Sequence, residues 1–210
     1  MMVTNVIRDQ IKRIFDTPGF DGVARQRIRE LSGAAALDPA KEDRLIGLLC
    51  QYVERAPQLL EACYGAAQQA GVANEAAPIL EAAARYFLEP QDFIPDQMGL
   101  YGLLDDAYQS NRFVERTSEL YQHYAGRPLL ALDLSSMNAV ARSVIGEPLA
   151  SQLDQVVDTT VQSIAQQIQL LAQQRQQFQV SPTGGPGAWG GTWEDEMSRT
   201  GAELGISINW

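Results

Sequence analysis

Residues 87–126 read FLEPQDFIPDQMGLYGLLDDAYQSNRFVERTSELYQHYAG. The part up to Gln109 carries five carboxylates, Glu89, Asp92, Asp96, Asp105 and Asp106, and no Lys or Arg to balance them. Pro90 and Pro95 each fix φ and restrict the residue before them, which predicts a stiff turn. Beyond it Leu100, Leu103, Leu104, Ala107, Tyr108, Val114, Leu120, Tyr121 and Tyr124 recur on one broad helical stripe, and "YAGRP" ends it. The stretch therefore reads as a corner leading into a long helix. Gly99 and Gly102 leave little side-chain bulk where that helix begins, so that backbones or helices can approach closely.

Helical patterns lie on both sides. Val6, Ile7, Ile11, Ile14 and Phe15 have helical spacing over residues 4–15, with Thr4 as a candidate N-cap, and Thr17, Pro18 and Gly19 end the run. A short helix is expected over 21–31. In "LDPAKEDRL" Asp38 is placed to cap, Pro39 suits the first helical position, and Glu42 and Asp43 complement the positive end of the dipole. That helix is expected to run to about Arg55, with Pro57 breaking or kinking the path before a further helix that stops at Gly71. "NEAAPILEAAARYFLEP" then enters the corner from the other side. Ser135 or Ser136 is a candidate cap for a short helix ending near Gly146.

Over 148–180, Val157, Val161, Ile164, Ile168, Leu171 and Phe178 alternate four and three residues apart, with Arg175 in the interrupted slot. Gln flanks this heptad-like seam, so no charge pattern fixes a partner. The seam suits either packing on its own domain or pairing with a copy of itself or with another protein. Residues 181–191 form a Gly/Pro linker, and 192–210 begin with a short acid-led helix and end on "ISINW". Trp189, Trp193 and Trp210 all fall in this tail, which suits either folding back on the core or docking on another protein. The expected fold is an all-α multi-helix bundle: a helical domain over 1–147 with the corner inside it, a long Gln-rich helix over 148–180, then linker and tail.

A formal charge of −10 and a pI near 4.5 argue against phosphate neutralisation as a source of affinity, so nucleic acid is not an expected partner. The nearest basic runs, "RDQIKRIF" and "ARQRIRE", are interleaved with acids. Cys50 and Cys63 lack a CxxC spacing and a neighbouring His, which suits buried thiols in a reducing compartment. No apolar run approaches the roughly 18 residues that span a bilayer. The N-terminus lacks the pattern of a secretory signal. The expectation is a cytoplasmic protein, with peripheral membrane association left open.

The aspartates carry the only constellation with chemical content. Asp92 and Asp96 are placed to accept from the N–H groups opening the next helix. Asp105 and Asp106 sit inside that helix and point about 100° apart. If Asp92, Asp96 and one of the pair converge, they make an oxygen-only cluster suited to Mg²⁺ or Ca²⁺. Alternatively they are structural, bonded to backbone amides and to an arginine such as Arg85 or Arg112. No catalytic residue is assigned: His123, the single imidazole, lies at a helix C-terminus, where it suits a cap, and no phosphate loop, HExxH or GxSxG motif is present.

The order Pro90, Asp92, Ile94, Pro95, Asp96, Gly102, Asp105, Asp106 resembles the signature of the YkvA-like family, P-x-D-x-I-P-D followed by G-x-x-D-D. The resemblance covers residues 76–124, with Gly99 standing where that family usually has Pro. It implies a small bacterial helical module of no established activity, suspected in some members of associating with membranes. The expected function is a non-catalytic interaction or scaffolding protein, binding through Val157, Val161, Ile164, Ile168 and Leu171 and through the tail tryptophans. The alternatives are a divalent-metal enzyme or sensor on the Asp cluster, and an acidic accessory or immunity protein that covers a basic partner.

Overall fold

The computed structural model describes residues 4–33, 38–88 and 93–178, with side chains to residue 170. Seven helices follow in chain order: α1 (Thr4–Phe15), α2 (Gly22–Ser32), α3 (Pro39–Gln69), α4 (Ala73–Tyr86), α5 (Leu100–Ala125), α6 (Ser135–Ile145) and α7 (Leu149–Phe178). One 3₁₀ turn, Asp96–Met98, precedes α5. The described residues form an all-α bundle with no strand.

The axis of the bundle is α5, which packs against each of the other six helices. Every residue from Gly102 to Asn111 is buried, so this stretch has no solvent face. A helix enclosed on all sides needs apolar or satisfied groups all round. Leu103, Leu104, Ala107 and Tyr108 supply the apolar part, against Leu49, Val53 and Leu60 of α3 and Ile79, Leu80 and Ala83 of α4 in one continuous core. The sequence predicts one broad stripe; burial instead extends round through Asp105, Asp106, Gln109, Ser110 and Asn111.

Several boundaries follow local chemistry. Asp38 accepts from Ala40 N at 3.0 Å with Pro39 as first helical residue, as expected. Gly126, at φ 71°, ends α5 in the left-handed region. Elsewhere the structure departs from the expectation. Pro57 lies inside an unbroken α3 and is buried, so tertiary packing carries the helix across the hydrogen bond that proline cannot donate. Thr4 opens α1 but donates to Glu61 of α3 instead of capping. At α6 the acceptor for Ser135 N is Asp133, 2.9 Å away, and not a serine.

The corner explains its glycines. Gly99 has φ 66°, and a Cβ there would overlap the Phe20 carbonyl, which accepts from Leu100 N at 2.7 Å. A Cβ at Gly102 would stand 2.5 Å from the Pro95 carbonyl oxygen. The chain between α1 and α2 and the 3₁₀ turn thus lie directly on the first turn of α5, with backbone against backbone.

Among charged groups, Glu42 on α3 is 4% exposed and accepts from Arg29 (2.8 Å to each oxygen) and Arg25 (3.0 Å) of α2. Arg29 first, then Arg25, hold its carboxyl below the ordinary glutamate value. A carboxyl whose folded-state pKa is depressed stabilises the fold above its unfolded-state pKa, and that contribution fades as pH falls through the folded-state value.

Two outcomes are expected. Gly102→Ala should destabilise the protein by about 1–3 kcal/mol, as overpacking does, read from urea denaturation. Glu42→Gln should lower the urea midpoint at pH 7, and the gap to the parent chain should close as pH is lowered below about 4.

Candidate functional site

Of the four aspartates expected to form a site, Asp96, Asp105 and Asp106 fall among the described residues; Asp92 lies outside them, as does Pro90. Asp105 and Asp106 are buried, at 2% and 3% exposure. Asp105 Oδ2 accepts from Ile94 N at 3.1 Å and so ties the stretch before the 3₁₀ turn to α5. Asp96 does not cap the following helix: its Oδ2 accepts from Gln10 Nε2 of α1 at 2.9 Å. Its Oδ1 is buried with no hydrogen-bond partner. Among the described residues no three carboxylate, thiol or imidazole groups gather closely enough to hold an ion. The two arginines considered for this corner lie elsewhere: Arg85 is exposed on α4, and Arg112 binds Asp154 and Glu115.

That second destination reveals a polar junction that local sequence patterns do not signal. Asp154 of α7 accepts from Tyr108 Oη at 2.9 Å, from Arg112 Nε at 3.0 Å, and from Arg142 of α6. One turn further along, Arg116 Nε donates to Asp158 at 2.7 Å. Arg142 also reaches Glu147 and Ser151. Charged hydrogen bonds in partly buried surroundings are the stronger kind, and this series fixes the register of α7 along α5.

The heptad-like seam belongs to that same interface. Val157 and Val161 are buried in the domain core, at 0% and 8% exposure, and Ile164 packs against it. This corrects the expectation that these residues present a surface to a partner: the seam spends its first half on its own bundle. Ile168 is partly exposed, while the side chain of Leu171 lies outside the described residues. Trp189, Trp193 and Trp210 also lie outside them.

Past the buried part of the seam the helices leave a cleft of about 360 Å³ between α4, the last turns of α5, and α7. Ala76 and Ile79 come from α4, Thr117, Leu120, Tyr121 and Tyr124 from α5, and Ala165, Ile168 and Gln169 from α7, with Leu129 beyond the end of α5. Thr117 donates its hydroxyl to Phe113 O at 2.7 Å, so its hydrogen bond is made inside its own helix. The polar groups are few: Glu75, and Gln169, whose amide donates to Tyr124 Oη at 2.8 Å. Tyr124 is 65% exposed and Leu170, beside Gln169, is 58% exposed. An apolar concavity of this size with a few convergent polar groups has the character of a binding site. Sequence reasoning named Ile168 and Tyr124 separately, but three helices distant along the chain make the cavity.

Two thiols and one imidazole lie among the described residues. Burial pushes the Cys50 thiol up to about 11 and the Cys63 thiol up to about 12, so neither is an activated thiolate at neutral pH. His123 is exposed near the end of α5, with its ring edge-on to Tyr124 at 5.1 Å. Comparison of the chain with protein-family models, with curated proteins and with solved structures returns no match.

Asp105→Ala is expected to lower stability by about 1–3 kcal/mol by leaving the buried Ile94 N–H without its acceptor. Asp105→Asn, which retains an acceptor oxygen, should cost less. Urea denaturation of the two variants side by side checks the order.

Proposed function

We propose that the chain is a non-catalytic interaction protein that holds protein partners in the cleft between α4, α5 and α7, with the aromatic C-terminal segment as its second contact element. The observation that carries this reading is the cleft: an apolar concavity with the exposed Tyr124 in its lining and only a few polar groups. Such a surface gains free energy by covering apolar area, at about 25 cal/mol per Å², and suits aromatic or aliphatic anchors of a peptide segment. The surplus of negative charge favours partners with basic residues around those anchors, by speeding encounter. On this reading the corner that resembles the YkvA-like signature is the brace of the module and not its binding face.

The test is selection from a displayed peptide library against the full chain. Enriched peptides should carry aromatic or aliphatic anchors and bind with micromolar affinity, about −8 kcal/mol. Ile168→Glu, at a partly exposed position on the cleft wall, should weaken them at least tenfold while leaving the thermal melt in place. Peptides that bind both chains equally, or no enrichment at all, would overturn the reading.

A second reading, a divalent-cation role for the Asp92, Asp96, Asp105 and Asp106 corner, is favoured by the buried, unbonded Oδ1 of Asp96. It requires a rise in melting temperature of metal-stripped protein with Mg²⁺ or Ca²⁺ that Asp96→Asn abolishes; an ion at a hundred times its Kd adds about 2.7 kcal/mol. Identical melts with and without the ions would remove it.

A further inference from the structure

We infer that the occupant of the cleft in the free protein is the chain's own segment around Trp189 and Trp193, which a partner must displace. This rests on the reading of the cleft as a docking surface and names what sits there first.

The chemistry of the two parts matches. Ile79, Leu120, Tyr121 and Ile168 offer an apolar wall, while Glu75 and the amide oxygen of Gln169 offer acceptors, the Gln169 nitrogen being engaged by Tyr124. An indole brings a large apolar body and one N–H donor with no acceptor, so it suits a wall edged by acceptors. A carboxylate would meet Glu75 unfavourably, so Trp189, whose neighbours over 181–191 carry no charge, is the leading anchor, and the Glu194–Asp195–Glu196 run after Trp193 stays outside the cleft. The volume, about 360 Å³, is well above the roughly 10–15 Å³ that holds one water on the same measure and admits aromatic side chains.

Chain length permits the return. Gln169 lines the cleft and α7 runs on to Phe178, nine residues further, or about 13 Å at 1.5 Å per residue. From Phe178 to Trp189 are eleven residues, with a maximum reach of roughly 36 Å. That contour is nearly three times the distance to be retraced, with Gly184, Gly185 and Gly187 in it to ease the reversal. A short tether presents its end at an effective concentration of the order of millimolar. A segment with only millimolar affinity is then already half docked, whereas a second copy at micromolar concentration is not. The tether is the reason for choosing the chain's own segment over that of a neighbour.

All three tryptophans of the chain lie beyond Phe178, so indole fluorescence reports on this segment alone. The experiment uses the full chain carrying Trp210→Phe, leaving Trp189 and Trp193 as emitters. Acrylamide quenching should be at least twofold weaker than in the urea-unfolded chain, and Ile168→Glu should raise it at least twofold and move the emission to the red, with an unchanged circular dichroism melt. Should Ile168→Glu fail to melt cooperatively, Ala165→Tyr, which fills the cleft from a partly exposed position and adds no indole, takes its place. Protection that falls on dilution would assign the occupant to a second copy and overturn the proposal. Tryptophans as accessible as in the unfolded chain, or protection indifferent to the cleft variants, would overturn it too. The docking reading fails separately: a chain with open tryptophans that still captures cleft-dependent peptides loses only its internal occupant, whereas one that captures none loses both.

Discussion

The structure depends on the enclosure of α5. From Gly102 to Asn111 the helix has no side turned to water, and six other helices share the task of covering it. This sets the demands on everything else. The corner has to deliver the chain to the first turn of α5 without occupying space there, which is why Gly99 and Gly102 take the backbones of Phe20 and Pro95 at closer range than a Cβ allows. Polar groups carried into the interior need partners brought by other elements, and Asp105 takes the Ile94 amide for this purpose.

Arginine has a corresponding part despite the acidic balance of the chain. Arg25 and Arg29 converge on Glu42 to fasten α2 to α3, and Arg112, Arg116 and Arg142 fasten α7 to the bundle through Asp154 and Asp158. These cations are paired with carboxylates across helix boundaries, from partly buried Arg112 to exposed Arg29. Each such pair removes a carboxylate from the field together with its cation, so the net charge of −10 stands as the composition gives it.

Helix positions were legible where the signal is local. Asp38 followed by Pro39, the Gly126 stop and the periodic apolar residues of α1 and α7 each act within a few residues, and the structure follows them. Pro57 misled because packing of a 31-residue helix outweighed one missing hydrogen bond. The enclosure of α5 was not legible, since Asp105, Asp106, Gln109, Ser110 and Asn111 look in sequence like the wet face of an amphipathic helix. The aspartates were rightly singled out as unusual, yet the amide bound by Asp105 and the glutamine bound by Asp96 come from tertiary structure. Arg112 and Asp154 are 42 residues apart, and no local pattern pairs them. The seam of α7 was visible as apolar spacing, but which surface it covers depends on α5 and α4. The cleft was beyond reach of sequence for the same reason.

The enclosure also has a consequence for how the molecule comes into being. Four of the six helices around α5 precede it in the chain, α1 to α4, and two follow it, α6 and α7. A chain emerging from the ribosome N-terminus first carries four helices around a missing axis until residue 125 has been made. Even then one flank of that axis stays wet until α7 arrives. Co-translational folding has little to gain from lengths short of α7, and closure of the bundle waits for that helix.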